Sequence, residues 1–157
     1  MVKAASYPLA GSCQCGQVRY QVLKPYRFVA VCHCLDCQRL SASAFSLTML
    51  VDADALKVEG TLKKFEHKGG SGATKECRLC PECGNRIYHV NPRTPQFVRL
   101  KPGTLDDASI LEPDYHTWVK RKLPWVRIPE GVSTFETEPG SVEEVMAAVR
   151  ATRSRRA

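Results

Sequence analysis

No stretch of this sequence approaches the roughly 18 consecutive apolar residues of a membrane-spanning helix. Its opening, MVKAASYPLAGS, contains no apolar core of about 7 to 15 residues of the kind found in secretory signals. Internal repeats are absent, and no shift in composition marks a second domain. The expectation is therefore one cytoplasmic domain with no membrane partner, and 157 residues with 43% apolar side chains are enough to bury one core. What the chain does have is eight cysteines. Disulfides are rare in the cytosol, so thiolate-bound metal is the expected use of these cysteines.

Charge of one sign predominates, with a formal net of +7, which invites a nucleic-acid reading. Its location argues against that partner: without Arg150, Arg153, Arg155 and Arg156 the net falls to +3. The segment WVKRKLPW interleaves bases with aromatics as single-strand binders do, but it holds only three consecutive basic residues. Trp118 and Trp125 are expected in the core or in a pocket wall.

The patterning is mainly β. GQVRYQV alternates Val18, Tyr20 and Val22 with polar residues at the period of a half-buried strand. RFVAVC, FSLTMLV, LKKFE, RIYHV and QFVRL are further short strand candidates, punctuated by KGGSG, NPRTP and KPGT. LDCQRLSASA has room for a turn or two of helix. SVEEVMAAVRATR is different: Val142, Val145, Met146 and Val149 follow helical spacing, and Ser141 with Glu144 form a capping box. Residues 1–140 thus read as a single domain, with 141–157 its C-terminal helix and basic tail. The helix is expected to dock its apolar face on the sheet, and RSRRA to fray into solvent.

The cysteines fall into three groups: Cys13 and Cys15; Cys32, Cys34 and Cys37; and Cys77, Cys80 and Cys83. In a strand, residues i and i+2 point to the same face, so Cys13 and Cys15 are expected to present their sulfurs side by side. CPECG at 80–84 has the form of a zinc knuckle, with Gly84 free to take a left-handed turn conformation. Two such pairs would make a closed tetrahedral four-cysteine zinc site. Spacing alone leaves open whether Cys80 and Cys83 join Cys13 and Cys15 or Cys34 and Cys37.

GSCQCGQVRY, followed by CHCLDCQRLSASAF and LCPECGNRIYH, resembles the glutathione-dependent formaldehyde-activating enzyme family, which shares its domain with centromere protein V. The resemblance covers roughly residues 10 to 125, and PDYHTWVKRKLPW looks like the family's later segment. It implies two zinc ions per chain, one structural at Cys13, Cys15, Cys80 and Cys83 and one catalytic at Cys32, Cys34 and Cys37. By the same resemblance the activity is that of a carbon–sulfur lyase joining glutathione to formaldehyde. The rival from another class is a zinc-stabilised binding module without turnover. Three ligands suit a catalytic zinc, which keeps one position for water or substrate; Cys77 or His33 as a fourth ligand would close the site instead. The chain departs from the family pattern at Ala42, where a glycine is usual, and at Cys77, an additional cysteine.

Glutathione carries two carboxylates, so cations are expected near the metal: Arg39 first, then Lys75 and Arg78. His33, between two ligands, is expected to point to the opposite face. His89 and His116 are expected to be hydrogen-bonded structural residues, with a proton relay as the alternative. His67 reads as exposed loop.

Overall fold

The computed structural model describes residues 5–69 and 72–156. Residues 1–4 of the N-terminal stretch, Gly70 and Ser71 of the KGGSG turn, and Ala157 of the tail lie outside them. The strands are β1 (Leu9–Ser12), β2 (Arg19–Val22), β3 (Phe28–Cys32), β4 (Ser46–Asp52), β5 (Leu56–Glu59) and β6 (Lys63–Lys68). They continue with β7 (Thr74–Leu79), β8 (Arg86–Val90), β9 (Phe97–Leu100), β10 (Tyr115–Thr117) and β11 (Ser133–Phe135). Helix α1 (Leu35–Ser41) follows β3, and α2 (Val142–Arg156) ends the chain. The architecture is mainly β, as the patterning implies, and no helix among the described residues is long and apolar enough to cross a membrane.

Two compact units compose the chain, residues 1–27 with 49–111 and residues 28–48 with 112–157. In the first unit β1, β2 and β5 form an antiparallel sheet, with Leu9 opposite Val22 and Val22 opposite Leu56. Tyr20 and Val22 are buried while Arg19 and Gln21 are exposed, the alternation that one covered face requires. A second antiparallel run in this unit orders β9, β8, β7 and β6, with β9 also paired to β4. β7 and β8 are joined by the 80–84 turn, in which Gly84 has φ +71°. The left-handed position expected there is present.

The second unit is built on three parallel strands in the order β11, β10, β3. Val29, Ala30 and Val31 of β3 are all buried, the near-continuous apolar run of a strand covered on both faces. Helix α2 packs Val145, Ala148 and Val149 against Phe28, Ala30, Tyr115 and Phe135. At its start the Glu144 N–H donates to Ser141 Oγ at 3.2 Å, and Glu144 Oε2 accepts from the Gly140 N–H at 2.8 Å. The capping box is thus closed one residue earlier than the ideal form.

The tail does not fray. α2 continues to Arg156 because its arginines find partners: Arg153 donates from Nε and Nη2 to the two oxygens of Asp114 at 2.7 and 3.0 Å. Arg155 binds Gly131 O and Arg156 pairs with Glu112. Asp114 is buried and also accepts from the Val29 N–H at 2.8 Å, so one carboxylate joins β3 to the end of α2. Removing it orphans the buried Val29 N–H and takes the carboxylate partner from the half-exposed Arg153. Asp114→Ala is expected to cost about 1 to 3 kcal/mol in chemical denaturation; an unchanged midpoint would mean that the helix end is not anchored there.

Candidate metal centres

Each unit carries one cysteine cluster. In the first, Cys13, Cys15, Cys80 and Cys83 have all four sulfurs within 4.8 Å of one another. That pairing answers the question that spacing leaves open. Cys13 and Cys15 lie just beyond β1, in a turn closed by Gly16 N–H to Cys13 O at 3.0 Å, and not in a strand as expected. The turn brings the sulfurs together with its own donors, since the Val18 N–H donates to Cys13 Sγ at 3.2 Å. The knuckle is closed by Gly84 N–H to Cys80 O at 3.0 Å, and Asn85 joins the two loops by accepting from the Gln14 N–H at 3.1 Å.

Sulfur separations here are 3.5 Å for Cys13–Cys15 and 3.7 Å for Cys15–Cys80. They are far too long for a disulfide, whose sulfurs lie about 2.05 Å apart. A tetrahedral zinc with bonds of about 2.3 Å requires sulfurs about 3.8 Å apart. The donor set fits that ion. Its protonation points the same way. Burial raises the Cys13 thiol, but the Val18 N–H and the neighbouring sulfurs outweigh it and bring Cys13 down to about 6. The Gln17 backbone N–H favours the Cys15 thiolate, yet Cys13 and the other sulfurs push Cys15 up to about 12. Such a group ionises fully only when a cation displaces its protons.

In the second unit Cys32, Cys34 and Cys37 also have their sulfurs within 4.8 Å of one another. Cys32 ends β3, opposite Thr117 of β10. Cys34 is the N-cap of α1, where its sulfur accepts from the Cys37 N–H at 3.3 Å. Hydrogen bonds from Cys32 and Cys37, with help from the backbone N–H groups of Cys37 and Asp36, bring the Cys34 thiol down to about 2. The same contacts raise Cys32, because the neighbouring thiolates oppose its ionisation and burial adds to them. No fourth Cys, His, Asp or Glu ligand atom among the described residues lies within 4.8 Å of all three sulfurs. Neither Cys77 nor His33 joins them.

α1 ends at Ala42, whose φ of 48° and ψ of 40° put a residue with a Cβ in the left-handed region. Glycine is the usual occupant of such a cap, and alanine carries a strain of roughly 1 kcal/mol there. This position is one of the two at which the sequence departs from the pattern it otherwise resembles.

His33 turns away from the cluster and is fully buried. Its Nε2 lies 2.9 Å from Nδ1 of His116, itself only 4% exposed, with the rings 19° from parallel. Burial first, and then the charge of Lys122, lower the His33 pKa; burial, His33 and Lys122 bring His116 down to about 4. Gln38 Nε2 donates to His33 O at 2.8 Å and to Arg121 O at 3.1 Å, fastening α1 to the segment after β10. Sequence reasoning reached His33 and His116 separately but not their pairing, and it missed Gln38 and Asn85.

The remaining candidates are spread more widely. Arg39 is exposed in the last turn of α1, about 200° around the helix from Cys37 at 3.6 residues per turn. Arg78 is paired with Glu76 at 2.8 Å. Lys75 stands opposite His67 between β7 and β6, so His67 belongs to a strand and not to an exposed loop. Cys77 is buried, with His67 Nδ1 3.8 Å and Arg86 Nη1 3.7 Å from its sulfur. His89 faces Cys77 across β8, and burial, followed by the charges of Lys101, Arg99, Lys75 and His67, holds its pKa well below normal. Neither tryptophan is in the core: Trp125 is 68% exposed, and Trp118 donates from Nε1 to Glu138 with Lys120 over its ring.

A sequence model of the glutathione-dependent formaldehyde-activating enzyme family matches residues 8–121. A Halomonas elongata protein provisionally named a glutathione-dependent formaldehyde-activating enzyme is 27% identical over 126 residues, 76% of this chain and 80% of that protein. A crystal structure of a Rhodobacter sphaeroides protein, 20% identical, aligns over 67% of this chain and 92% of that one with a TM-score of 0.50, a likeness of fold alone. With its two cysteine clusters inside or at the heart of the matched span, the chain belongs to the glutathione-dependent formaldehyde-activating enzyme family.

Proposed function

We propose that this protein is a zinc-dependent carbon–sulfur lyase that adds a small thiol, glutathione by family, to a small aldehyde, formaldehyde by family. Two zinc ions serve it in this reading. One is structural, at Cys13, Cys15, Cys80 and Cys83; the other is catalytic, at Cys32, Cys34 and Cys37. The observation that carries the reading is the three-sulfur set without a fourth ligand among the described residues. A tetrahedral ion held by three protein ligands keeps one position for an incoming atom.

When bound at this cluster, zinc supplies the positive charge that keeps an incoming thiol ionised at neutral pH, where a free thiol with pKa near 8.5 is mostly protonated. The chain's own residues hold the geometry. The Cys37 N–H fixes the Cys34 sulfur, and Gln38 ties the backbone of residue 33 to that of residue 121. Arg39, at the surface of α1, is the proposed cation for the carboxylates of glutathione. In the reaction the thiol S–H bond breaks, a bond forms from sulfur to the carbonyl carbon, and the carbonyl oxygen takes the proton. No oxidant or reductant is needed. Three thiolates carry more negative charge than a divalent cation neutralises, so the cluster suits thiol binding and exchange better than hydrolysis. Such chemistry belongs in a reducing compartment, and the cytoplasm is its proposed setting.

Cobalt in place of zinc tests the open position. Adding glutathione is expected to shift the absorption of about half the bound cobalt, because thiol enters one cluster of two. Spectra that ignore added thiol would favour a closed, non-catalytic binding module.

A further inference from the structure

The His33–His116 contact is a buried polar bond with no role in the chemistry above. The two rings offer four nitrogens, and the contact at 2.9 Å uses two of them. His33 Nδ1 and His116 Nε2 are buried without a hydrogen-bond partner among the described residues. A bond between two imidazoles needs one donor and one acceptor, so it fixes the tautomer of each ring from that of the other. It is the one polar hold on either ring among the described side chains.

That hold bears on the cluster through the backbone. Residue 33 separates Cys32 from Cys34, and in an extended segment its side chain and theirs take opposite faces. Its peptide is gripped on both sides, the N–H donating to Thr117 O at 3.0 Å and the carbonyl accepting from Gln38 Nε2 at 2.8 Å. The ring is the third point of attachment: His116 holds its Nε2, and Phe45 packs edge-on with ring centres 5.6 Å apart. Three attachments fix the rotation of residue 33, and with it the directions in which Cys32 and Cys34 leave the backbone.

We infer that His116 is a positioning residue for the three-cysteine cluster, acting through its hydrogen bond to the imidazole of His33. The inference rests on the reading of Cys32, Cys34 and Cys37 as a metal site. Interactions behind the ligands commonly change metal affinity by roughly 10- to 100-fold, and that is the effect expected here.

Two amides separate this role from simple packing. An asparagine places its side-chain nitrogen where histidine has Nδ1, and a glutamine places it where histidine has Nε2. His116→Asn therefore keeps a hydrogen-bonding group for His33 Nε2, as donor or, with the amide turned over, as acceptor, and His116→Gln loses it. The readout is zinc release from the full-length, zinc-loaded protein to a chromophoric chelator, with Cys34→Ser identifying the ion held by the three-cysteine cluster. His116→Gln is expected to weaken that ion roughly 10- to 100-fold and leave the other unchanged, while His116→Asn releases zinc as the wild type does. The second ion and the far-UV circular dichroism report folding in the same samples. Equal retention by both variants, or equal loss from both, overturns the inference. If Cys34→Ser releases no less zinc than the wild type, the cluster is not a metal site and the inference falls with that reading, a result distinct from either of the others.

Discussion

Cys80→Ser is expected to unfold the first unit. Its sulfur belongs to the four-cysteine group, where the Cys15–Cys80 separation of 3.7 Å matches one edge of a zinc tetrahedron. Structural zinc in small domains supplies folding free energy of about 10 to 16 kcal/mol, whereas a whole domain is stable by about 5 to 15 kcal/mol. Loss of the ion is therefore comparable with the entire margin. The local structure leaves little to compensate: residues 13–18 and 80–85 are turns, held by a few hydrogen bonds and by Asn85 between them. The expected observation is loss of near-UV circular dichroism and of zinc together, in Cys80→Ser and in the wild type treated with a strong chelator. A Cys80→Ser protein that melts as the wild type does would assign this cluster no structural role.

Cys34→Ala is expected to abolish turnover, by 100-fold or more on the scale of a lost catalytic group, without unfolding the protein. Cys34 has a second duty, however: its sulfur caps α1. Loss of an N-cap costs about 1 kcal/mol, which for a chain of this size lowers the melting temperature by about 2 to 4 °C. Cys34→Ser separates the two duties, because a hydroxyl caps a helix well and is a poor zinc ligand. It is expected to lose activity as fully as the alanine variant and to melt as the wild type does. If Cys34→Ser kept full activity, the three-cysteine cluster would not be the site of reaction.

The parts of this architecture that were legible in the sequence are those whose determinants lie close together in the chain. The alternation around Tyr20, the capping box at Ser141 and the left-handed glycine at 84 are local signals, and each has its counterpart in the structure. Local too is the direction of His33, since a residue between two ligands must take the opposite face. What was missed depends on distant partners. The arginine tail reads as frayed because its counter-charges, Asp114 and Glu112, lie about forty residues earlier. Strands β10 and β11 have three residues each, too few to show a period, and β7 alternates only weakly because both of its faces carry charge. The turn at Cys13 reads as strand because two cysteines at i and i+2 satisfy either geometry. The His33–His116 bond spans 83 residues and leaves no mark on either local pattern.

The most direct test of the central claim is the rate at which glutathione, formaldehyde and their adduct interconvert at equilibrium, followed by NMR exchange with zinc-loaded wild type and with Cys34→Ser. The expected result is acceleration by the wild type and the uncatalysed rate with the variant. The contradictory result is the uncatalysed rate with both, or equal acceleration by both.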